Sequence, residues 1–264
     1  MTAQLRLLCI SVLLCVACKN EPKLDTGIAS TPAIHQIELS KGAQVIQEAI
    51  EAHGGDLYTT AAYTFTFRNN QYTFINREDG YRYEVHYATK YNGATDVLEN
   101  GDFTRTVHGE NISLSEKDIS SYSQALNSVI YFATLPHKLK DASVCKTYTG
   151  ETEIDGSSYD VVQIHFTEEG GGQDFDDIYS YWINTDTKRI DYLAYTYSVN
   201  GGGVRFRKAY NTREVDGILF QDYINYEAAV GTPLSKLPTL YENRKLKELS
   251  RIETENVKPL NLEQ

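Results

Sequence analysis

The chain has 264 residues, with 36 Asp and Glu against 25 Lys and Arg, so its formal net charge is −11. It lacks the basic excess that neutralises nucleic-acid phosphates, which argues against a nucleic-acid partner. Hydrophobic residues make up 41% of the chain, enough for a packed core, which excludes a wholly disordered protein. The aromatic residues are 20 Tyr, 9 Phe and 1 Trp, and this composition favours a mainly β protein.

The N-terminus has the pattern of an export signal. Leu7 to Ala17 form an apolar run of 11 residues that is broken only by Ser11. This run is too short to span a bilayer, which needs roughly 20 residues, and it is typical of the apolar region of a signal peptide. The following Leu14-Cys15-Val16-Ala17-Cys18 resembles the lipobox of bacterial lipoproteins, with Cys15 where Leu is usual. We therefore expect residues 1–17 to be a lipoprotein signal peptide; the alternative is a plain cleaved signal.

The resemblance to a lipobox implies that Cys18 carries a lipid anchor and that the membrane is a partner of the protein. Lys19 follows this cysteine where an inner-membrane retention signal has Asp, which favours the outer membrane of a bacterial envelope. Residues 18–40 contain two prolines and no clear periodicity, so we expect the acylated cysteine to be followed by a flexible tether. Cys145 is then the only free thiol, which excludes an intramolecular disulfide.

Periodicity next predicts a helix and a meander. A helix is expected near Lys41–His53, with Ser40 as its N-cap and Gly54-Gly55 as its stop. Alternating aromatic residues from Tyr63 to Tyr87 then indicate three strands joined by tight turns.

A second helix is expected near Lys117–Phe132, where Ser115 is the N-cap candidate. Further strands are separated by turns such as Asp155-Gly156 and Asp216-Gly217, and the last is expected at Leu240–Glu253. The count reaches about eleven strands without βαβ alternation, and a sheet of that size tends to curl. We therefore expect residues 41–264 to form one curved antiparallel sheet, an open half-barrel covered by the two helices.

Two segments carry a resemblance to a known family. Tyr179-Ser180-Tyr181-Trp182-Ile183-Asn184-Thr185-Asp186-Thr187-Lys188-Arg189-Ile190 resembles the "aromatic-x-W-I-D-x-x-T-x-x-I" hairpin of the LolA/LolB-like lipoprotein carriers, with Asn184 in place of Asp. Ala49-Ile50-Glu51-Ala52-His53-Gly54-Gly55 is similar to the opening helix of uncharacterised Gram-negative lipoproteins of this type. The resemblance implies an open β-barrel around an apolar cavity. It covers roughly residues 41–257 and does not fix an activity.

The sequence contains no catalytic signature. It has no His-Glu-x-x-His, no Gly-x-Ser-x-Gly and no phosphate-binding loop, and its six histidines are scattered. We therefore predict no enzyme activity, no catalytic residue, no cofactor and no metal site. Residues 168–177 concentrate five acids on a glycine-rich loop; a solvated hairpin loop is favoured there over a Ca²⁺ site, because the spacing does not match an EF-hand.

Two sets of residues are candidates for ligand binding. Arg205 and Arg207 share one face of a predicted strand and are suited to an anionic headgroup, although pairing with acids of a neighbouring strand is the simpler interpretation. Aromatic side chains alternate on several strands and line either a filled core or a ligand cavity; the pattern does not separate these alternatives. The cavity candidates are Phe65, Phe67, Phe74, Tyr83, Tyr181 and Phe220.

These patterns favour a lipid-anchored envelope protein, facing the periplasm or the cell surface, that binds a lipid or another amphiphile in an apolar concavity. Burial of apolar surface, at about 25 cal/mol per Å², would drive such binding. The alternative is a non-enzymatic accessory subunit of an envelope complex that contacts protein or glycan through a Tyr-rich surface. A glycan-processing enzyme is the least favoured hypothesis, because no carboxylate pair can be placed.

Overall fold

The computed structural model describes residues 39–167, 177–198 and 201–261. The predicted signal peptide, Cys18 and all but the last two residues of the predicted tether lie outside these ranges. So does the predicted acidic loop, apart from Asp177.

The described residues form three α-helices and fourteen β-strands. The helices are α1 (Lys41–Ala52), α2 (Glu116–Ala133) and α3 (Leu237–Glu242). The strands are β1 (Ala62–Phe67), β2 (Asn70–Arg77), β3 (Gly80–His86), β4 (Thr95–Glu99), β5 (Asp102–Val107), β6 (Glu110–Asn111), β7 (Val144–Ile154), β8 (Ser157–Phe166), β9 (Tyr179–Asn184), β10 (Ile190–Tyr197), β11 (Gly203–Val215), β12 (Ile218–Ala228), β13 (Lys247–Ile252) and β14 (Glu255–Pro259). The prediction of a mainly β protein is therefore confirmed, and α3 is an additional helix beyond the two that were predicted.

The two longer helices begin at the predicted caps. The Ser40 hydroxyl accepts a hydrogen bond from the backbone N–H of Ala43 at 3.2 Å, and Ser115 accepts one from Asp118 at 3.2 Å. Each cap satisfies a backbone donor that the first helical turn leaves without a partner. Among the described residues, no helix is both long enough and apolar enough to cross a bilayer.

The strands form two antiparallel sheets of seven strands each, so the prediction of a single sheet of about eleven strands is wrong. In the first sheet the order is β14-β1-β2-β3-β4-β5-β6. In the second sheet the order is β13-β12-β11-β10-β9-β8-β7. The predicted last strand, Leu240–Glu253, is instead divided between the end of α3, a short connection and β13.

The division into two sheets has a local cause at the end of the chain. β13 pairs with β12 at the edge of the second sheet, and after a break at Glu253-Thr254 β14 pairs with β1 in the first sheet. Thr254 is buried at this break, and its backbone N–H donates to Asp222 Oδ1 at 2.9 Å. Arg213 donates to the same carboxylate at 3.2 Å and to the Thr254 carbonyl. This buried polar corner interrupts the ladder, because the backbone of Thr254 bonds to side chains there.

The helices pack on different sheets, which corrects the expectation that both cover one concave face. α1 lies on β7 and β8 of the second sheet, whereas α2 lies on β3, β4 and β5 of the first. The core of the first sheet contains Leu126 and Ile130 of α2, and it also contains Phe220 of β12. A second core lies between α1 and the second sheet. A third cluster of buried side chains, around Trp182 and Phe206, covers the other face of that sheet beneath α3.

Candidate functional site

A cavity of about 230 Å³ lies where α2 meets both sheets. Its described lining comes from the end of β1, the second half of α2, strands β10 to β13 and the corner at Thr254. The lining residues are Phe67, Arg68, Ser128, Val129, Phe132, Ala133, Tyr195, Arg207, Gln221, Tyr223, Ile252 and Thr254. The site is therefore assembled from parts of the chain that are far apart in sequence.

Helix α2 bridges the two sheets and so forms one wall of this cavity. Leu126 and Ile130 are each 1% exposed and pack into the core of the first sheet. The next two residues of α2 contact the second sheet. The Tyr131 hydroxyl lies 3.1 Å from the Tyr181 hydroxyl of β9, and the Phe132 ring lies 5.7 Å from the Tyr195 ring of β10. Leu126 and Ile130 are four residues apart and therefore share the face of α2 that packs on the first sheet. Tyr131 and Phe132 lie on the neighbouring face and contact the second sheet.

Arg207 is the most unusual residue of the cavity. It is 7% exposed, and its guanidinium carbon lies 4.0 Å from the centre of the Phe132 ring. Nη2 donates a hydrogen bond to the Tyr195 hydroxyl at 2.8 Å, but Nε and Nη1 have no partner. Within the described part of the chain, Arg207 forms no ion pair. A buried cation without an opposing charge is costly, so this position favours an anionic ligand.

Two tyrosine hydroxyls line the cavity beside Arg207. Tyr195 accepts the hydrogen bond from Arg207, and Tyr223 accepts one from Gln221 Nε2 at 2.8 Å. Gln221 Nε2 also donates to the Ile190 carbonyl at 2.8 Å, which fixes the amide. Burial raises the pKa of Tyr223 to about 12, so its hydroxyl is protonated at neutral pH. Neither hydroxyl proton has an acceptor among the described residues.

The two predicted headgroup arginines have different surroundings. They share one face of β11, as predicted, while Val204 and Phe206 face the third cluster. Arg205 does not line the cavity; its Nη2 donates to the Tyr197 hydroxyl at 2.5 Å, and it lies in register with Glu227 of β12. Of the pair, only Arg207 lines the cavity.

Five of the six predicted cavity aromatics are fully buried in packed cores. Phe65, Phe74, Tyr83 and Phe220 lie in the core of the first sheet, and Tyr181 lies in the core under α1. Each is at most 1% exposed. Phe67, the sixth, is half-buried and lines the cavity.

Arg68 is a cavity residue that the sequence analysis missed. It occupies the turn between β1 and β2 with a φ of 49°, and its guanidinium carbon lies 5.0 Å from the Phe67 ring. The side chain is exposed at the cavity mouth, where it forms no ion pair with any described residue. None of the described lining residues is acidic, although the chain has a net charge of −11. The α2 residues and Gln221 were also missed, because their proximity depends on the packing of α2 across two sheets.

No metal centre is evident in the described ranges, which contain no group of three or more His, Cys, Asp or Glu side chains placed to hold an ion. Two histidines are buried. Burial lowers the pKa of His53 to about 4 and that of His137 to about 3. Neither histidine lines the cavity.

A family model described as "Family of unknown function (DUF6503)" matches residues 36–254, so the chain belongs to this family. None of the curated proteins compared with the chain shows a significant match in sequence.

Several solved structures resemble the chain at low identity. A LolA superfamily protein from Nitrosomonas europaea is 10% identical and has a TM-score of 0.49, with 85% of this chain and 96% of that one covered. A DUF1329 family protein from Desulfovibrio piger is 10% identical and has a TM-score of 0.47, with coverages of 84% and 94%. A putative outer membrane lipoprotein-sorting protein domain from Vibrio parahaemolyticus is 10% identical and has a TM-score of 0.42, with coverages of 77% and 99%.

Two of these three structures are described by the LolA superfamily or by lipoprotein sorting, the family that two segments of the sequence resemble. Each of these three TM-scores lies below 0.5, so we infer function from the side chains of this chain.

Proposed function

We propose that the protein is a lipid-anchored, non-enzymatic envelope protein that holds the apolar chain of an amphiphile in the cavity between α2 and the two sheets. The observation that carries this proposal is the lining of the cavity by Phe67, Val129, Phe132, Ala133 and Ile252. Concave sites that combine apolar walls with polar groups at fixed positions are typical of sites for small amphiphilic ligands. The predicted lipidation of Cys18 would keep the site near a membrane that supplies the ligand.

The alternative, an accessory subunit that contacts its partner through a Tyr-rich surface, has less support. All 20 tyrosines lie among the described residues, and only Tyr91 is exposed. Most of the tyrosines therefore stabilise cores and do not form a contact surface.

Native mass spectrometry of the full chain, purified from envelope membranes, tests the proposal. We expect the wild type to carry an amphiphile. Ser128→Trp should abolish its retention, because Ser128 is an exposed residue at the cavity wall and an indole there would occupy the space. Ser121→Trp is the matched control, since Ser121 is exposed on the same helix and lies outside the lining. A ligand-free wild type, or equal retention by both variants, would contradict the proposal.

A further inference from the structure

Several polar groups beside Arg207 in the cavity have hydrogen-bond donors to spare. Arg207 has two nitrogens without a partner, and the Tyr195 and Tyr223 hydroxyls have protons without an acceptor in the described chain. The guanidinium is held in place by the Phe132 ring on one side and by the hydrogen bond to Tyr195. Stacking engages the face of a guanidinium and leaves its in-plane N–H groups available. This arrangement is preorganised for a small group that only accepts hydrogen bonds.

We propose that Arg207, Tyr195 and Tyr223 form a carboxylate-binding subsite inside the cavity, and that the bound amphiphile is a free fatty acid or a similar apolar chain ending in one carboxylate. This inference rests on the proposed function and adds the chemical class of the ligand. The carboxylate lies within the cavity, and its apolar chain contacts Val129, Phe132 and Ile252.

The charge balance favours one negative charge. Arg207 is the one buried cation of the described lining, because Arg68 is exposed at the mouth. A carboxylate neutralises a single guanidinium, whereas a doubly charged phosphate monoester would leave a net buried charge.

Arg68 has a separate role in this arrangement. Its charge lies at the cavity mouth, and the described lining contains no acid to neutralise it. An acidic protein repels anions at long range, so a cation at the entrance raises the local concentration of an anionic ligand. Arg68 therefore acts on the rate of entry, while Arg207 holds the bound carboxylate.

Isothermal titration calorimetry on the full chain in nanodiscs tests the inference, with octanoate, octanol and octyl phosphate as probes and empty nanodiscs as the blank. We expect octanoate to bind roughly 10- to 100-fold more tightly than octanol, which has the same chain and no charge. Arg207→Gln should remove most of this preference, because it deletes the charge that distinguishes octanoate from octanol for this site.

Two further variants make the result specific. Arg205→Gln is the matched control, because Arg205 lies on the same strand face but bonds to Tyr197, and it should retain the preference. Tyr195→Phe keeps the ring contacts and should weaken octanoate binding by about threefold to tenfold, which tests the subsite even where Arg207→Gln fails to fold.

Equal affinities for octanoate and octanol would overturn the carboxylate subsite and leave the proposed function standing. Tighter binding of octyl phosphate than of octanoate, or an equal loss in Arg205→Gln and Arg207→Gln, would also overturn it. Binding of none of the three probes would overturn the proposed function itself.

Discussion

At the scale of single residues, buried polar side chains without partners mark two different parts of the molecule. Arg207 lies in the cavity, where a ligand can complete its hydrogen bonds. His53 and His137 lie in cores, and His53 Nε2 and His137 Nδ1 have no partner. His53 Nδ1 lies 2.8 Å from the Ala49 carbonyl, and His137 stacks on Tyr58 with 4.8 Å between ring centres. The histidines are therefore structural groups that must stay neutral.

The two histidines predict that the fold loses stability in mild acid. Burial lowers the pKa of His53 to about 4 and of His137 to about 3, below the value near 6.5 in the unfolded chain. The unfolded state therefore binds protons first, and stability falls as the pH drops below about 6.5 towards 4. We expect a loss of about 2 kcal/mol per histidine between pH 7.5 and 5, measured as the free energy of unfolding in urea.

His137→Phe provides the control for this prediction. It keeps the stacking on Tyr58 and removes one titrating group, so the pH dependence should be about half as steep. If the free energy of unfolding depends on pH equally steeply in the wild type and in His137→Phe, His137 does not contribute to the loss of stability in acid.

Alternation along β11 allowed the shared face of Arg205 and Arg207 to be predicted from the sequence. The different surroundings of the two arginines could not be predicted, because the side chains that contact them belong to other elements. These side chains are Tyr197, Phe132 and Tyr195. Arg68 was missed for a related reason. It lies in the turn between β1 and β2, and the sequence of a turn does not indicate which helix packs beside it.

At the scale of secondary-structure elements, helix α2 depends on a buried ion pair at its other end. Arg105 Nε and Nη2 donate to the two oxygens of Asp96 at 2.6 and 2.7 Å, and both residues are at most 6% exposed. The guanidinium carbon lies 3.8 Å from the Tyr122 ring of α2. The Tyr87 hydroxyl donates to the same carboxylate at 3.0 Å. This contact fixes the first half of α2 on the first sheet.

We expect Arg105→Ala to destabilise the fold by about 3–5 kcal/mol, because it leaves the Asp96 carboxylate buried without its partner. Arg77→Ala is the matched control. Arg77 pairs with Glu99 on the surface at 3.0 Å, and exposed pairs contribute about 0–1 kcal/mol. Urea unfolding measures both. Equal losses in the two variants would contradict the assignment of Arg105 as the anchor of α2.

Both long helices were predictable from the sequence within about one residue at each end. Their caps and apolar stripes are local, so Ser40, Ser115 and the repeating apolar positions were sufficient. Which sheet each helix covers was not predictable, since that choice depends on contacts between residues far apart in the chain.

At the scale of the whole molecule, the cavity is formed where α2 meets two sheets, whereas a single curved sheet was expected. The sequence predicted most of the strands and hairpins, because tight turns join neighbouring strands, but it missed β6 and β14. It did not predict the division, because β14 pairs with β1 across almost the whole domain and Thr254 is held by Asp222 and Arg213. Such pairings follow from tertiary packing and leave no local pattern.

We also expect the protein to be attached to a membrane through Cys18. Cys18→Ser removes the thiol that accepts the lipid, and most of the protein should then move from the membrane pellet to the supernatant after cell lysis. Cys145→Ser is the control and should leave the distribution unchanged. Continued sedimentation of Cys18→Ser with the membranes would contradict the anchor.

Photo-crosslinking of the full chain with a neutral alkyl diazirine shows directly whether an apolar chain occupies the cavity beneath α2. We expect labelling of peptides that contain Ser128 to Ala133, Tyr195 and Tyr223, and we expect Ser128→Trp to suppress it. Labelling confined to exposed apolar side chains such as Leu57 and Val230, and unchanged by Ser128→Trp, would contradict it.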